Sequence, residues 1–445
     1  MSDEQPKAPS PPTIAMLTAG AGNMYCGSCL QDNAVAAAMM AQGHDIVLVP
    51  TYTPIRTDDR NVSLDRVFLG GINVYLQQQF GFFRHLPTFL DRWLDSPRLV
   101  RWAVSKAAGT DARGLGPLTI SMLQGSQGHQ RKEIARLTTW LSRRLQPKLV
   151  HLSNVLIAGC VPSIKSKLQV PVVVTLQGDD AFLDELPVHY RETAIAEIRK
   201  IAKHVDVFLV HSEYYRRYMS EYLGIADHCF RVMPLGISTD LIATNRSPSS
   251  RAGTVGYLAR MAPEKGLHQL VDAFLQLRQQ SDRAEIRLRL AGWHGPAQRD
   301  YVEQCLQRLR SEAPDHFQFD GEIDRDAKSE FFRTIDLLCV PSPHPEPKGL
   351  YVLESMAHGV PVVQPRHGAF EELIGVTQGG VLFEPNDMQS LVAALSDLLG
   401  DHQRRKAMGE RGRDQVLSHY SSGQAARFLW DLYGELIATP APTAI

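Results

Sequence analysis

The sequence predicts an α/β protein made of two halves, each built as a doubly wound parallel sheet. Strand-like apolar runs alternate with helical runs along the chain, the pattern of parallel strands joined by crossover helices. At 445 residues the chain is too long for a single hydrophobic core. A polar, turn-rich stretch over 234–251 has the composition of a linker and separates the two halves.

Twelve apolar runs are predicted to be strands, six in each half. Those of the first half are 13–19, 46–49, 149–152, 171–176, 207–210 and 230–232. Those of the second half are 253–257, 286–291, 317–319, 337–340, 361–364 and 381–383. Helices connect them, and the first is predicted over 28–42, where Gly43 ends it. The predicted domains are a disordered tail over 1–12, a first domain over 13–236, a second over 237–421 and a C-terminal helical segment over 422–445.

Composition and charge exclude several classes of partner. The formal net charge is −1 and the pI is near 7.0, so nothing indicates nucleic acid. No apolar run reaches the roughly 18 residues that a membrane-spanning helix requires. The first twelve residues have no hydrophobic core and do not read as a secretory signal, so we expect a cytoplasmic protein.

Cys26 and Cys29 form a C-x-x-C pair, which has redox and zinc-binding interpretations. The sequence shows neither a thioredoxin-like context nor a second pair or histidines at zinc spacing. We therefore favour two small side chains that keep the first loop compact, and we predict no metal site.

The most informative stretch is 344–363, in which Glu346 and Glu354 are separated by seven residues. An apolar strand precedes Glu346, while Gly349 and Leu350 stand where helical spacing begins. A helix N-terminus presents free N–H groups and positive dipole charge, which suit a phosphate, and neighbouring carboxylates suit sugar hydroxyls. The pattern therefore predicts a site for a nucleotide-diphosphate sugar. The alternative is an ordinary loop glutamate plus a solvated helix glutamate.

This arrangement resembles the E-x7-E signature of retaining glycosyltransferases with two facing Rossmann-like domains, the GT-B fold, and is most similar to glycosyltransferase family four. That signature usually reads Glu-x-Phe-Gly-Leu-(x)3-Glu. Here both acids, the glycine and the leucine are kept, and Lys348 replaces the phenylalanine. The resemblance also implies a C-terminal helix that crosses back to the first domain. A helix over 422–437 is predicted from an apolar stripe, and packing on its own domain stays the alternative.

Arg260 and Lys265 lie in a stretch that resembles the family's Gly-Arg-Leu-(x)3-Lys-Gly signature, although three residues separate the first glycine from the arginine. Two cations at fixed positions can stabilise a diphosphate leaving group without a metal. The alternative is a surface loop in which Lys265 pairs with its neighbour Glu264.

Gly20 and Gly22 resemble the family's glycine-rich first loop, which lets the backbone approach the donor phosphate and the acceptor. A dinucleotide site is disfavoured, because the third glycine of that fingerprint is replaced by Tyr25 and the second strand ends without an acid.

Three residues are acceptor-side candidates: His151, Gln177 and Asp179. Many relatives carry a histidine near Gln177, and a glutamine cannot transfer protons in its place. Asp179 and Asp180 either bind acceptor hydroxyls or cap the following helix. His151 is either a catalytic group or, as is more usual for a lone histidine, a structural hydrogen-bonding group.

Two further segments bear on the site. Gly368 and Glu371 match the family's Gly-Gly-x-x-Glu near the donor, whereas Arg366 and His367 match less clearly. The segment 75–106 is rich in aromatic and basic residues. It is interpreted as bordering the acceptor, with peripheral contact to the inner face of the membrane as one option and helices packed by Phe and Trp as the other.

The resemblance implies a retaining hexosyltransferase that needs no cofactor and uses a nucleotide-diphosphate sugar as co-substrate. Arg260 and Lys265 would neutralise the diphosphate, and the loop around Lys348, Gly349 and Leu350 would contact the donor. Glu346 would bind the transferred sugar and support its oxocarbenium-like charge, and Glu354 would bind the ribose. The acceptor is a carbohydrate, lipid-linked or other hydroxyl. The alternatives are a nucleotide-sugar synthase or phosphorylase of the same fold, or a non-catalytic nucleotide-sugar-binding protein. The donor base, the sugar and the oligomeric state stay open.

Overall fold

The computed structural model describes residues 13–20, 27–55, 57, 60–65, 67–68, 112–239, 242 and 253–439, with 112 and 113 described in the backbone only. Several predictions concern residues outside these ranges: the tail 1–12, Gly22, Cys26 and the segment 75–106.

Two six-stranded parallel sheets form the framework. The first sheet has the order β2-β1-β3-β4-β5-β6, with β1 Ile14–Thr18, β2 Ile46–Pro50, β3 Leu149–Leu152, β4 Val172–Thr175, β5 Val207–Val210 and β6 Phe230–Val232. The second has the order β12-β11-β10-β7-β8-β9, with β7 Thr254–Leu258, β8 Arg287–Ala291, β9 Phe317–Gly321, β10 Leu337–Cys339, β11 Val362–Pro365 and β12 Gly380–Phe383.

All twelve predicted strands are present, with ends within two residues of the predicted ones. The reason is physical: a parallel strand covered by helices is buried on both faces and reads as a continuous apolar run. Strands β1, β3, β4 and β5 are buried at every residue, whereas β9 stands at a sheet edge and is partly exposed. The predicted α/β class with two parallel sheets is confirmed.

Helices connect the strands, and several begin at an aspartate that caps them. Asp324, Asp387 and Asp401 each accept a hydrogen bond from a backbone N–H of the first helical turn. The first seven described helices are Gly27–Ala41, Gly116–Leu123, Arg131–Trp140, Val161–Leu168, Asp179–Glu185, Val188–Ala202 and Glu213–Leu223. The remaining eight are Leu267–Arg278, Arg299–Glu312, Arg325–Thr334, Leu350–Ala357, Phe370–Thr377, Met388–Gly400, His402–His419 and Ser422–Ala438. No described helix combines the length and the apolar composition needed to cross a membrane.

The described residues divide into two compact units. The first unit holds those of 1–210, Met219–Arg231 and 426–445, and the second holds His211–Tyr218 and Val232–Ala425. The helix Glu213–Leu223 is therefore shared between the units. Each unit contains one sheet with its own buried apolar core.

His151 links the first sheet to the C-terminal helix inside the first unit. Its Nδ1 lies 2.6 Å from the Tyr433 hydroxyl and its Nε2 lies 2.6 Å from the Thr175 hydroxyl. Burial lowers the pKa of His151 to about 3, so the imidazole is neutral. Because both ring nitrogens are engaged, this geometry fits a structural hydrogen-bonding group. The same helix also stacks Trp430 on His44, with ring centroids 3.8 Å apart.

Tyr433→Phe is expected to lower the free energy of unfolding by roughly 1–3 kcal/mol, because it leaves a buried His151 nitrogen without its partner. Urea unfolding measures the effect. Tyr351→Phe is the matched control, since the Tyr351 hydroxyl is buried and has no hydrogen-bond partner among the described residues. Equal losses in the two variants would contradict the role assigned to the His151–Tyr433 contact.

Candidate active site

The site lies at the carboxyl ends of β7 and β10 in the second unit. These strands are neighbours in the sheet, and the chain order reverses between them: β8 and β9 extend the sheet on one side, β11 and β12 on the other. At such a switch point a crevice forms at the carboxyl ends of the two strands, and ligands of doubly wound sheets bind there. The loop after β7 carries Lys265 and the loop after β10 carries Glu346.

Lys265 and Glu346 form an ion pair across this switch point, between the lysine Nζ and the Oε2 of the glutamate. The Lys265 and Glu346 side chains are only 20% and 10% exposed, so water screens the pair weakly. The Gly349 N–H, just before the helix Leu350–Ala357, also donates to the Glu346 carboxylate. The alternative in which Lys265 pairs with its neighbour Glu264 is not what the structure shows, because Glu264 pairs with Arg260.

The charge state of Glu346 follows from these neighbours. Burial alone would raise the pKa of Glu346. The ion pair with Lys265, the charge of Lys348 and the N–H of Gly349 outweigh that effect and hold the pKa below its usual range. Glu346 is therefore ionised at neutral pH, and it can only accept hydrogen bonds.

The two loops are held together by close backbone contact. Gly266 has φ +69°, and a Cβ there would overlap the carbonyl oxygen of Pro341, so only glycine allows this approach. The Ser342 hydroxyl is 2.9 Å from the Glu264 carbonyl and 2.8 Å from the His344 carbonyl. The position of Lys265 relative to Glu346 is thus set by the backbone of both loops.

A third loop, which follows β11, contacts the backbone of Glu346. The Ala369 N–H donates to the Glu346 carbonyl at 2.8 Å. Gly368 has φ +60°, and a Cβ there would lie 2.5 Å from both the nitrogen and the oxygen of Glu346. The His367 Nε2 donates to the Ser342 carbonyl at 3.0 Å, and burial lowers the pKa of His367, so the ring is neutral.

The other predicted donor-binding residues lie outside the Lys265–Glu346 ion pair. Arg260 is half exposed and pairs with Glu264 in the same loop. Glu354, on the helix Leu350–Ala357, accepts a hydrogen bond from the Lys328 Nζ at 3.1 Å. Lys328 was not predicted, because its helix shares no motif with the E-x7-E stretch. Leu350 begins the helix whose N-terminus faces Glu346, as predicted.

The first unit gathers polar side chains at the carboxyl ends of β1, β3 and β4, which are adjacent strands. The Gln177 Nε2 donates to the Ser153 carbonyl at 2.9 Å and to the Asp32 Oδ1 at 3.2 Å. The Asp32 Oδ2 accepts from the Thr18 hydroxyl at 2.8 Å. Asp32 was not predicted, although it stands on the helix that follows the glycine loop at Gly20.

Asp179 ties the loop after β4 to the loop after β3. Its two oxygens accept from the Gln177 N–H at 2.8 Å and from the Val155 N–H at 3.1 Å. Burial raises the pKa of Asp179 to about 6, an effect that these hydrogen bonds only partly oppose. Neither this cluster nor any other described group brings three His, Cys, Asp or Glu side chains together as metal ligands.

Two family models match the chain: "Glycosyltransferase Family 4" over residues 115–241 and "Glycosyl transferases group 1" over 244–415. The chain belongs to the glycosyltransferase family that these models describe. The second match contains Arg260, Lys265, Glu346 and Glu354, and the first contains the acceptor-side candidates. The resemblance drawn from the E-x7-E pattern is therefore confirmed.

Similar curated proteins are glycosyltransferases of lipid and inositol acceptors. The chain is 28% identical over 268 residues to a GDP-mannose-dependent alpha-(1-6)-phosphatidylinositol monomannoside mannosyltransferase of Mycolicibacterium smegmatis, across 56% of this chain and 66% of that protein. It is 29% identical over 192 residues to a D-inositol 3-phosphate glycosyltransferase of Corynebacterium urealyticum, across 42% of this chain and 44% of that protein. The matches thus leave a third or more of these relatives' length uncovered.

Similar solved structures share the fold. Sucrose-phosphate synthase from Thermosynechococcus elongatus has a TM-score of 0.69 at 18% identity and covers 96% of this chain and 99% of its own. Anabaena Alr3699/HepE in complex with UDP has a TM-score of 0.65 at 17% identity and covers 95% of this chain and 100% of its own. At these identities the likeness concerns the fold alone.

Gly368→Ala is expected to lower turnover strongly, because the new methyl group would displace the Glu346 backbone and the positive φ would be strained. Gly375→Ala is the matched control, since a Cβ on that helical glycine meets no atom within 4 Å. Donor turnover and melting temperature are measured for both variants. Equal activity in the two would contradict a requirement for backbone contact at Gly368.

Asp179→Asn tests the raised pKa of Asp179. The pKa is about 6 in the folded protein against 3.8 for the free group, so ionisation lowers the free energy of unfolding as pH rises through that window. The unfolding free energy of the wild type minus that of the variant is therefore expected to fall by up to roughly 3 kcal/mol as the pH rises through this window. A constant offset from the lost hydrogen-bond acceptor is added to this change. Urea unfolding at steps across the window measures the difference. A difference that does not change with pH would contradict the shift.

Proposed function

We propose that the chain transfers a hexosyl residue from a nucleotide-diphosphate sugar to an acceptor hydroxyl, with retention of the anomeric configuration. The observation that carries the proposal is the shielded Lys265–Glu346 pair beside the N-terminus of the helix Leu350–Ala357. The family membership supports glycosyl transfer, and the site geometry supports the roles of the individual residues.

The diphosphate of the donor matches the positive groups of the site. The Lys265 ammonium is a compact cation, and the helix N-terminus adds N–H groups and dipole charge. Arg260 is half exposed and can add a second cation by leaving Glu264. These groups would stabilise the negative charge that develops on the leaving nucleoside diphosphate. The proposal therefore assigns charge neutralisation to the protein and requires no resident cofactor.

The transferred sugar matches Glu346. Without a donor, Lys265 and Glu346 neutralise each other, so neither charge is left buried and unpaired. A nucleotide sugar offers an anion for the lysine and hydroxyl groups for the carboxylate. Glu346 is ionised, so it can accept those hydroxyl hydrogen bonds and stabilise positive charge at the anomeric carbon.

Glu354 is proposed to bind the ribose, oriented by Lys328. Glu354 lies on the helix Leu350–Ala357, whose N-terminus is at Gly349, so one helix would bind both the diphosphate and the ribose. Lys348 is buried beside the loop and adds positive charge near Glu346. Gly20 is proposed to approach the donor phosphate and the acceptor. The Gln177–Asp179 loop is proposed for the acceptor side, where the first unit collects its buried polar groups.

The names of similar proteins indicate which substrates to test. The mannosyltransferase relative is named for GDP-mannose and for phosphatidylinositol monomannoside, and the structure of Anabaena Alr3699/HepE is a complex with UDP. We propose a carbohydrate or lipid-linked hydroxyl as the acceptor, reached by a cytoplasmic protein at the inner face of the membrane. Thermal stabilisation by GDP-mannose, UDP-glucose and ADP-glucose, followed by release of nucleoside diphosphate, identifies the donor. NMR of the product establishes whether the configuration is retained.

Lys265→Ala and Glu346→Gln are each expected to lower turnover at least about 100-fold, because each removes a group that stabilises charge in the transition state. Lys265→Ala also leaves Glu346 buried without its cation and should cost roughly 1–3 kcal/mol of unfolding free energy. The double variant should regain part of that stability while staying inactive.

Lys406→Ala is the matched control for these variants, because the Lys406 side chain is exposed and lies 3.9 Å from Glu410 in a loose surface ion pair. It should retain wild-type turnover and stability. An active double variant would overturn the proposed roles of Lys265 and Glu346, whatever the stabilities.

A further inference from the structure

The first turn of the helix Glu213–Leu223 is held by side chains from two directions. Ser212 precedes the helix, and its Oγ accepts from the Tyr215 N–H at 3.1 Å. Glu372 accepts from the Glu213 N–H at 2.7 Å and from the Tyr214 N–H at 2.5 Å, one bond to each carboxylate oxygen. The first N–H groups of a helix have no partner within it, so these three bonds satisfy the turn.

This turn is fastened to the loop that carries Glu346. The Ser212 hydroxyl donates to the carbonyl of Pro347 at 3.2 Å, while its oxygen accepts from Tyr215. Ser212 is buried, so water competes little for the bond. The segment His211–Tyr218 belongs to the second unit, so the contact lies within one compact body.

The loop has a specific need for such a contact. Proline has no N–H, so the peptide bond between Glu346 and Pro347 offers no donor to fix the chain. Two carbonyls do so instead: the Glu346 carbonyl accepts from the Ala369 N–H at 2.8 Å, and the Pro347 carbonyl accepts from Ser212. Ala369 directly precedes the helix Phe370–Thr377, which carries Glu372. These hydrogen bonds link the Glu346 loop, the Ser212 turn and the Ala369–Glu372 segment into a closed circuit that holds the Glu346 backbone.

We propose that Ser212 is a positioning residue for Glu346, and that Glu372 holds the helical turn that presents it. By fixing the Pro347 carbonyl, Ser212 sets the direction in which Glu346 meets the donor sugar. The inference rests on the proposed function of the site and adds to it a residue from a different part of the chain. The two cations assigned to the diphosphate, Lys265 and Arg260, stand on another loop, so we expect binding of the diphosphate to depend less on Ser212 than binding of the sugar does.

Three substitutions separate positioning from helix capping. Ser212→Ala removes both hydrogen bonds. Ser212→Asp keeps a strong capping acceptor but has no proton to donate to the Pro347 carbonyl. Ser212→Thr keeps both functions. If Ser212 acted only as a cap, the aspartate variant would behave like wild type.

The binding measurement is calorimetric titration with GDP-mannose, UDP-glucose and ADP-glucose, and with GDP, UDP and ADP. The alanine and aspartate variants are expected to bind the preferred nucleotide sugar about five-fold more weakly, the factor expected for one lost hydrogen bond. The matching nucleoside diphosphate should change less than two-fold, and the threonine variant should restore both values. Ser212→Gly takes the place of the aspartate variant if the latter does not fold, since glycine costs little at a cap.

A second measurement needs no ligand. Amide hydrogen exchange in the peptide covering 344–353 should be faster in the alanine and aspartate variants than in wild type or in Ser212→Thr. Ser220→Ala is the control: it loses a 2.7 Å bond to the Ile225 carbonyl at the far end of the same helix and should leave both readouts unchanged.

The outcomes are distinguishable. Unchanged exchange and unchanged nucleotide-sugar affinity in Ser212→Ala would overturn the inference while the proposed function stands. Equal weakening of nucleotide sugar and nucleoside diphosphate would also overturn it. A wild-type protein that binds none of the three nucleotide sugars overturns the proposed function and with it the donor role of Ser212, even where the loop exchanges faster in the variant.

Discussion

The ion pair between Lys265 and Glu346 is the contact on which the chemistry of the candidate site in the second unit depends. Two charges removed from water are costly unless they meet each other with good geometry and further hydrogen bonds. Here the carboxylate has both a lysine and a backbone N–H from Gly349. The surrounding loops are arranged so that the pair is shielded and yet lies at the open, carboxyl edge of the sheet. A ligand with an anionic part and hydroxyl groups can replace both contacts: its anion pairs with Lys265, and its hydroxyl groups donate to Glu346.

Backbone proximity makes this arrangement possible. Gly266 and Gly368 stand on different loops, and each would carry a Cβ into a neighbouring backbone: that of Pro341 in one case and that of Glu346 in the other. The glycines of the motifs therefore act by allowing three loops to touch, after which hydrogen bonds such as that of Ser342 hold them. The charged residues are placed by this backbone frame, which explains why positions far from the motif, such as Ser212, bear on it.

The first unit repeats the plan with different chemistry. Its polar groups also collect at the carboxyl ends of adjacent strands, where amide and hydroxyl groups donate to Asp32 and Asp179 in the hydrogen bonds described above. Burial accordingly raises the pKa of Asp179, whereas in the second unit nearby cations lower that of Glu346. The carboxyl pKa is thus shifted in opposite directions in the two units: downward for Glu346 and upward for Asp179. This contrast is consistent with the proposed binding of an anionic donor by the second unit and of a hydroxyl acceptor by the first.

Strand positions and the loops at their ends could be read from residue order alone. Continuous apolar runs such as 207–210 identify buried parallel strands, and a glycine at the start of helical spacing locates the helix N-terminus near Glu346. The choice of partner could not be read in this way. Lys265 has Glu264 beside it in sequence and pairs instead with Glu346, because β7 and β10 are neighbours in the sheet and their loops converge. The same limit applies to His151, whose partners Thr175 and Tyr433 come from distant segments, and to Lys328 beside Glu354. Local spacing encodes secondary structure, whereas an ion pair depends on which segments the sheet order brings together, and that order emerges only when the chain folds.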